Sequence, residues 1–328
     1  MYGRAAVKKP PRANFLLLFI IENGAALCYN RIMNYARVKS YAKINLTLDI
    51  LGVQGGYHML DSVVASIDLY DLIIAKRRRD KLVTVAMHGC GSESIPYEEN
   101  NAAKAAERFV AVFNTDGADI TIYKNIPVGA GLGGSSADVA GVLNAMKKLY
   151  AVDDFAAVKA IADGIGSDCG YMLTGGFARI SGRGERVERL ESRAFKADIG
   201  LLLPSGGVST AQCYALSDSI GGGVRTSAQA AEALQRGDAA ALGKSLSNGL
   251  TAAAKRLNAG VGECIGELEE FAPLGVNMTG SGSGVYALFE NDQFARYAKS
   301  RYRGKNSFIL TKTVIPTKED GNGGREID

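Results

Sequence analysis

The sequence predicts an α+β protein of two lobes, on three observations. Strand-like alternating runs are interleaved with helix pairs rather than with single helices in strict β-α order. The chain has 328 residues, enough for about two domains at ~150 residues each. A charged stretch without periodicity, residues 186–196, divides it into residues 33–190 and 191–316.

The elements follow in order. Residues 1–32 have a basic start and then only seven apolar residues, Phe15–Ile21, before Glu22 and Asn23. That run is far too short to span a bilayer and lacks a well-placed cleavage site. With Met33 preceding the first regular alternation, residues 1–32 are expected to be an extension outside the core. "AKINLTLDILG" sets Ile44, Leu46, Leu48 and Ile50 against Asn45, Thr47 and Asp49, a half-buried strand with Lys43 on its polar side. A turn at "GGYH", further strand to residue 78, and a short strand in "KLVTVAMHG" come next. "NNAAKAAERFVAVFN" reads as a helix burying Ala102, Ala105, Ala106, Phe109 and Phe113; "ADITIYKN" alternates with Ile120 and Ile122 inward.

After the glycine run 127–136, a helix from Ser135 to about Tyr150 carries Val139, Leu143, Met146 and Tyr150 on one stripe. A second helix follows in "DDFAAVKAIADGIG". "GYMLTGGFARISGRGERVERL" reads as strand broken by Gly175-Gly176 and a turn at 182–184. The second part opens with strand "DIGLLLP", a short helix at "TAQCYALSD" and three Ala-rich helical stretches over 226–271. Paired strands around "SGSG", a helix near 292–302, the strand "SFILTKTVI" and a polar tail, 317–328, expected to be disordered, complete the chain.

Bulk chemistry narrows the function. A net charge of +4 is small for this length, and "KRRRDK" (76–81) is broken by Asp80 and lacks interleaved aromatics, so no nucleic-acid partner is expected. The five cysteines, Cys28, Cys90, Cys169, Cys213 and Cys264, are scattered without a C-x-x-C pair. That pattern argues against a disulfide framework or zinc and fits a cytoplasmic protein with no membrane partner.

The run "PVGAGLGGSSADVAGVL" (127–143) poses the functional question. Gly129, Gly131 and Gly134 have the G-x-G-x-x-G spacing of a dinucleotide fingerprint. The context does not match: the preceding strand alternates polar and apolar residues, Pro127 intervenes, and another helix follows where a parallel strand is required. No G-K-[ST] is present for a Walker loop. What remains is a glycine loop whose unpaired N–H groups precede a helix N-terminus, an anion site by dipole and amide donors together. Ser135-x-x-Asp138 is equally a capping-box pattern, and from this run alone capping and phosphate binding stand side by side.

Two more segments tilt the balance. "PVGAGLGGSSAD" resembles the phosphate loop of the GHMP kinase superfamily, "YAKINLTLDI" (41–50) its first motif and "MTGSGSGVYALF" (278–289) its third. Within it, "AKINL" with "GYH", "NNAAKAA", "GSD", "GGFARISGRGE" and "VSTAQCY" are most similar to the kinases of 4-diphosphocytidyl-2-C-methyl-D-erythritol. The resemblance implies an N-terminal ribosomal-protein-S5-like lobe, a C-terminal ferredoxin-like lobe, ATP and Mg²⁺ as cofactors and a cytidine diphosphate-linked methylerythritol as small-molecule substrate, in non-mevalonate isoprenoid synthesis.

It further implies Lys43 and Asp168 as the catalytic pair and Pro127, Gly129, Gly131, Leu132, Gly133, Gly134, Ser135 and Ser136 as the ATP phosphate site. Tyr57 and Tyr214 would stack on the cytosine, His58 would bond its edge, and Asn45 and Thr210 would contact substrate. "SNGLT" (247–251) departs from the family in lacking acids at Gly249 and Thr251. A kinase of another small alcohol such as homoserine, or a catalytically silent nucleotide-binding homologue, are the alternatives.

Overall fold

The computed structural model describes residues 34–89, 95–192, 195–221, 223–317 and 319–321; the expected extension 1–32 lies outside them. Its organiser is one long strand. β1 (Tyr35–Asn45) and β2 (Thr47–Gln54) lead through the Gly55-Gly56 turn into β3 (Tyr57–Arg77), which is 21 residues long. That length lets β3 take β2 and later β6 near its start, β1 along most of its run, and later β5 near its end, all antiparallel. β4 (Thr84–His88) adds in parallel to β5 (Ala118–Tyr123). β6 (Phe177–Gly182) and β7 (Arg186–Arg189) form a hairpin on the other end.

Helices α1 (Asn101–Phe113), capped by Asn100, and α2 (Gly134–Tyr150) cover this sheet. The expected stripe on α2 is only part of its buried surface, since every residue from Ala137 to Met146 is buried. A helix buried on all sides loses the one-sided pattern. α3 (Phe155–Asp163) ends at Gly164 as expected. The "CGYM" segment, expected as strand, is instead the short helix α4 (Cys169–Met172), because it must turn back under α2 before Gly175-Gly176.

The second sheet is four antiparallel strands in the order β10-β11-β8-β12, with β8 (Asp198–Leu203), β10 (Gly275–Met278), β11 (Val285–Phe289) and β12 (Ser307–Lys312). Between them run α5 (Thr210–Ile220), α6 (Ser227–Arg236), α7 (Ala239–Ser245), α8 (Thr251–Leu257) and α9 (Ala259–Glu269), then α10 (Asp292–Arg301). The three Ala-rich stretches are thus four helices. Sequence segments cross between the lobes. β9 (Ser247–Asn248) pairs parallel to β2, and the N–H of Val314 donates to the carbonyl of Ser66. Asp49 accepts from the N–H groups of Thr226 and Ser227 at the start of α6. One core cluster therefore joins Ile44 and Leu46 to Leu201, Leu234 and Tyr286.

The tail expected to be disordered from 317 is held as far as Gly321. Lys39 N–H donates to the Asp320 carbonyl and its ammonium pairs with the Asp320 carboxylate at 3.2 Å, a local gain that fixes a polar segment; residues 322–328 lie outside the described part. Among the described residues, no helix is long and apolar enough to cross a membrane.

Candidate active site

The glycine run is a loop with its carbonyls spoken for and its amides free. The carbonyls of Ala130, Gly131 and Leu132 accept from Gly284 N–H (3.1 Å), the Thr279 hydroxyl (3.1 Å) and Lys43 N–H (3.0 Å). Among the described residues, the N–H groups of Gly131–Ser136 make no backbone hydrogen bond. Gly129, Gly131 and Gly133 have φ near +72°, alternating with ordinary residues, a left-handed conformation that favours glycine. Only glycine fits: a Cβ on Gly131 would lie 2.1 Å from the Thr279 carbonyl oxygen, and one on Gly133 2.5 Å from Met172. α2 then begins at Gly134 with Gly133 as N-cap and no side-chain cap bond, so the capping-box reading of Ser135-x-x-Asp138 is not realised. Asp138 instead pairs with Lys124 at 2.6 Å.

β1 carries Lys43 and Asn45 into a cavity of about 680 Å³ beside this loop. Lys43, expected on a solvated strand face, is buried, because α2 and the second lobe cover both faces of β1. Its ammonium donates to Asn45 Oδ1 at 2.5 Å and lies 3.4 Å from Asp168 Oδ2. Asn45 is held in turn, accepting from Gly280 N–H (3.0 Å) and donating to the Ser62 hydroxyl (2.9 Å). Asp168 sits at the N-cap of α4 yet makes no capping bond, which leaves its carboxylate facing Lys43 and the cavity.

The far end of the cavity is aromatic. The His58 ring packs against Tyr214 with centroids 4.5 Å apart, and His58 Nε2 is 2.8 Å from Asp218 Oδ1. An ionised carboxylate only accepts, so the His58 Nε2–H donates to Asp218 and fixes the ring's orientation. Tyr57, on the same strand as His58, is 58% exposed at the mouth. Thr210 completes the opposite wall, its hydroxyl 2.8 Å from that of Ser281 in the third motif.

The cavity thus gathers Lys43, Asn45, Tyr57, His58, Gly131, Gly133, Ser136, Asp168, Thr210 and Tyr214. Pro127, Gly129, Leu132, Gly134 and Ser135 line a second cavity of about 200 Å³ on the loop's other side, with Met87, Ile95 and Asn101. Gly249 and Thr251, the departures noted above, do not line the large cavity. Sequence reasoning missed Asp218, Arg183 and Ser281. Asp218 is four residues beyond Tyr214 on α5, so a helical-face reading of "YALSD" had the signal to find it.

The comparisons match this geometry. Residues 100–176 match the GHMP kinases N terminal domain and residues 230–304 the GHMP kinases C terminal domain. A 4-diphosphocytidyl-2-C-methyl-D-erythritol kinase of Pelotomaculum thermopropionicum is 38% identical over 283 residues, 84% of this chain and 96% of that protein. This chain belongs to the GHMP kinases, in the family of 4-diphosphocytidyl-2-C-methyl-D-erythritol kinases. A Desulfitobacterium hafniense member of that family is 37% identical, covering 89% of this chain and 99% of its own. A crystal structure of a 4-(cytidine 5'-diphospho)-2C-methyl-D-erythritol kinase superposes with a TM-score of 0.71 at 28% identity, over 84% of this chain and 98% of the other. A homoserine kinase from Cytophaga hutchinsonii has the same fold (TM-score 0.67) at 17% identity.

Among the described residues no group of three or more His, Cys, Asp or Glu side chains is placed to hold a metal. The ion that accompanies a nucleotide is commonly bound largely by phosphates and water, and no step below passes through it.

Proposed function

We propose that this kinase transfers the γ-phosphoryl group of ATP to the 2-hydroxyl of 4-diphosphocytidyl-2-C-methyl-D-erythritol, a step of non-mevalonate isoprenoid synthesis. The observation that carries the proposal is one cavity that joins an amide-lined glycine loop, a Lys43–Asp168 pair at 3.4 Å and an aromatic end built from His58 and Tyr214.

Phosphoryl transfer is mainly positioning and charge neutralisation. The loop amides from Gly129 to Ser136, with the N-terminus of α2, hold the triphosphate; a bound Mg²⁺ would offset part of its negative charge. Asp168 accepts the proton of the substrate hydroxyl as its oxygen attacks the γ-phosphorus and ADP leaves. Lys43, fixed by Asn45, pairs with Asp168 and offsets charge on the moving group.

At the other end Tyr57 and Tyr214 sandwich the cytosine, at ~1–3 kcal/mol per stacked face. His58, oriented by its bond to Asp218, hydrogen-bonds the edge of the base. Thr210 meets the diphosphate side. The lobes divide near residues 33–190 and 191–316, and the scattered cysteines favour the cytoplasm.

The test is ADP release by the full chain with ATP and each of three alcohols: 4-diphosphocytidyl-2-C-methyl-D-erythritol, homoserine and mevalonate. Turnover with the first alone is expected. Turnover with homoserine instead, or ATP binding with no turnover on any, would replace the proposal with another GHMP kinase or a silent homologue.

A further inference from the structure

Between the aromatic end and the catalytic pair, the β6–β7 turn leans into the large cavity. Its residues Gly182, Arg183, Gly184 and Glu185 have no role in the transfer described above. The turn is rigidly placed. Gly182 and Gly184 have φ of +74° and +109°, and a Cβ on Gly184 would lie 2.8 Å from Ser167, the neighbour of Asp168. Glu185 folds back to accept the Arg183 N–H at 2.6 Å. The Arg183 guanidinium rests on the Tyr57 ring, 4.9 Å from its centroid. One residue of the turn thus touches the base end of the cavity while the next abuts the acid end.

Charge accounting gives this placement a purpose. The cavity is lined by Asp163, Asp168 and Glu185, against the cations Lys43 and Arg183. Lys43 is taken up by Asn45 and Asp168. Among the described residues the Arg183 guanidinium forms no salt bridge; it rests on Tyr57, and its charge acts at longer range on the Glu185 carboxylate. Asp168 is matched by Lys43 and Asp163 by Lys159, at 2.6 Å, so a diphosphate strung between a stacked base and a hydroxyl at Asp168 would bring negative charge that neither lysine is free to meet.

We infer that Arg183 is the diphosphate-binding residue of this cavity, and that it makes the site select a cytidine diphosphate over the free nucleoside. The inference rests on the substrate reading above. Arginine suits the task, since its planar fork can lie on an aromatic face and still present two N–H groups to phosphate oxygens. It also folds the turn over the stacked base, joining base and diphosphate recognition in one side chain.

The test compares cytidine with CDP, by isothermal titration on the full-length wild type and the Arg183→Gln and Arg183→Lys variants. Arg183→Gln is expected to weaken CDP by about tenfold or more, as for a lost hydrogen bond to a charged group, while cytidine stays within about twofold. Retained cytidine binding also certifies the fold of the variant. Arg183→Lys is expected to fall between, keeping charge but not the fork. Equal loss for CDP and cytidine would overturn the inference and leave Arg183 as a prop for Tyr57. Unchanged CDP binding would overturn it outright. A wild type that binds neither compound would remove the substrate reading itself, and this assignment with it.

Discussion

Two lysines flank the glycine loop, each beside carboxylates, and they are built for opposite ends. Lys43 meets Asp168 at 3.4 Å, with the lysine side chain 6% and the aspartate 37% exposed. Lys124 sits between Asp71 and Asp138, and none of the three is more than 6% exposed. Asp71 is further tied by the N–H groups of Asn125 (2.6 Å) and Ile126 (2.9 Å), which lead into the loop. The first pair is loose and open on one side, so a hydroxyl can come between the carboxylate and the cavity. The second is closed and clamps β3, the end of β5 and α2 together, fixing the direction in which the loop amides point. Identical residue types give a reactive centre where one partner faces a cavity and a mechanical joint where none does.

The sharpest way to break this contrast is to neutralise one carboxylate or ammonium on each side. Asp168→Asn should lower kcat by ~10²–10⁴, the range for a positioned general base. Its thermal midpoint should barely move, since the side chain is partly exposed and caps nothing. ADP release and thermal unfolding on the same preparation check both halves, and normal turnover would remove Asp168 from the chemistry. Lys124→Met should behave in the reverse manner. It strands the buried Asp71 carboxylate beside Asp138, a change that costs about 3–5 kcal/mol, read by urea unfolding. A stability loss below about 1 kcal/mol would show that the clamp carries little of the fold.

The same contrast explains what was legible in the sequence. The glycine loop, α1 and the strand around Ile120 were readable because each is set by local spacing or by one buried face. Lys43 was misplaced by that logic. Alternation along "AKINLTLDI" assumes one wet face, yet Ser40–Asp49 are buried throughout, because α2 packs on one side and α6 and the third motif on the other. Asp49 is the plainest case: its partners, Thr226 and Ser227, lie 177 and 178 residues away. No local pattern encodes such a contact. Asp168 sits at the N-cap of α4, and its lack of a capping bond is a property of the packed site. Resemblance supplied the pairing of Lys43 with Asp168; geometry supplied the reason for it.

The smallest expected effect separates the two carboxylates inside the clamp. Burial would by itself lower the Lys124 pKa, but Asp138 and Asp71 together hold it above its usual value. One ammonium cannot compensate both acids. Asp71 accepts two backbone N–H groups, whereas Asp138 Oδ1 is buried without a hydrogen-bond partner. Asp138 is therefore the group that keeps its proton, and its pKa is pushed up to about 7 by burial, with the Asp71 charge adding to the shift and Lys124 opposing it. The sign follows from linkage. A folded-state pKa above the unfolded value means that the native state binds the proton more tightly. This contribution is complete below about pH 4, the unfolded value, and is lost as pH rises through 7. Stability should thus fall between pH 5 and pH 7 with a slope of order 1 kcal/mol per pH unit from this group. Asp138→Asn should flatten that slope without abolishing turnover, because the amide mimics the neutral acid toward its neighbours. Urea midpoints of both proteins at pH 5, 6, 7 and 8 decide it: parallel curves would mean that Asp138 is ionised throughout and that Lys124 compensates both of its partners after all.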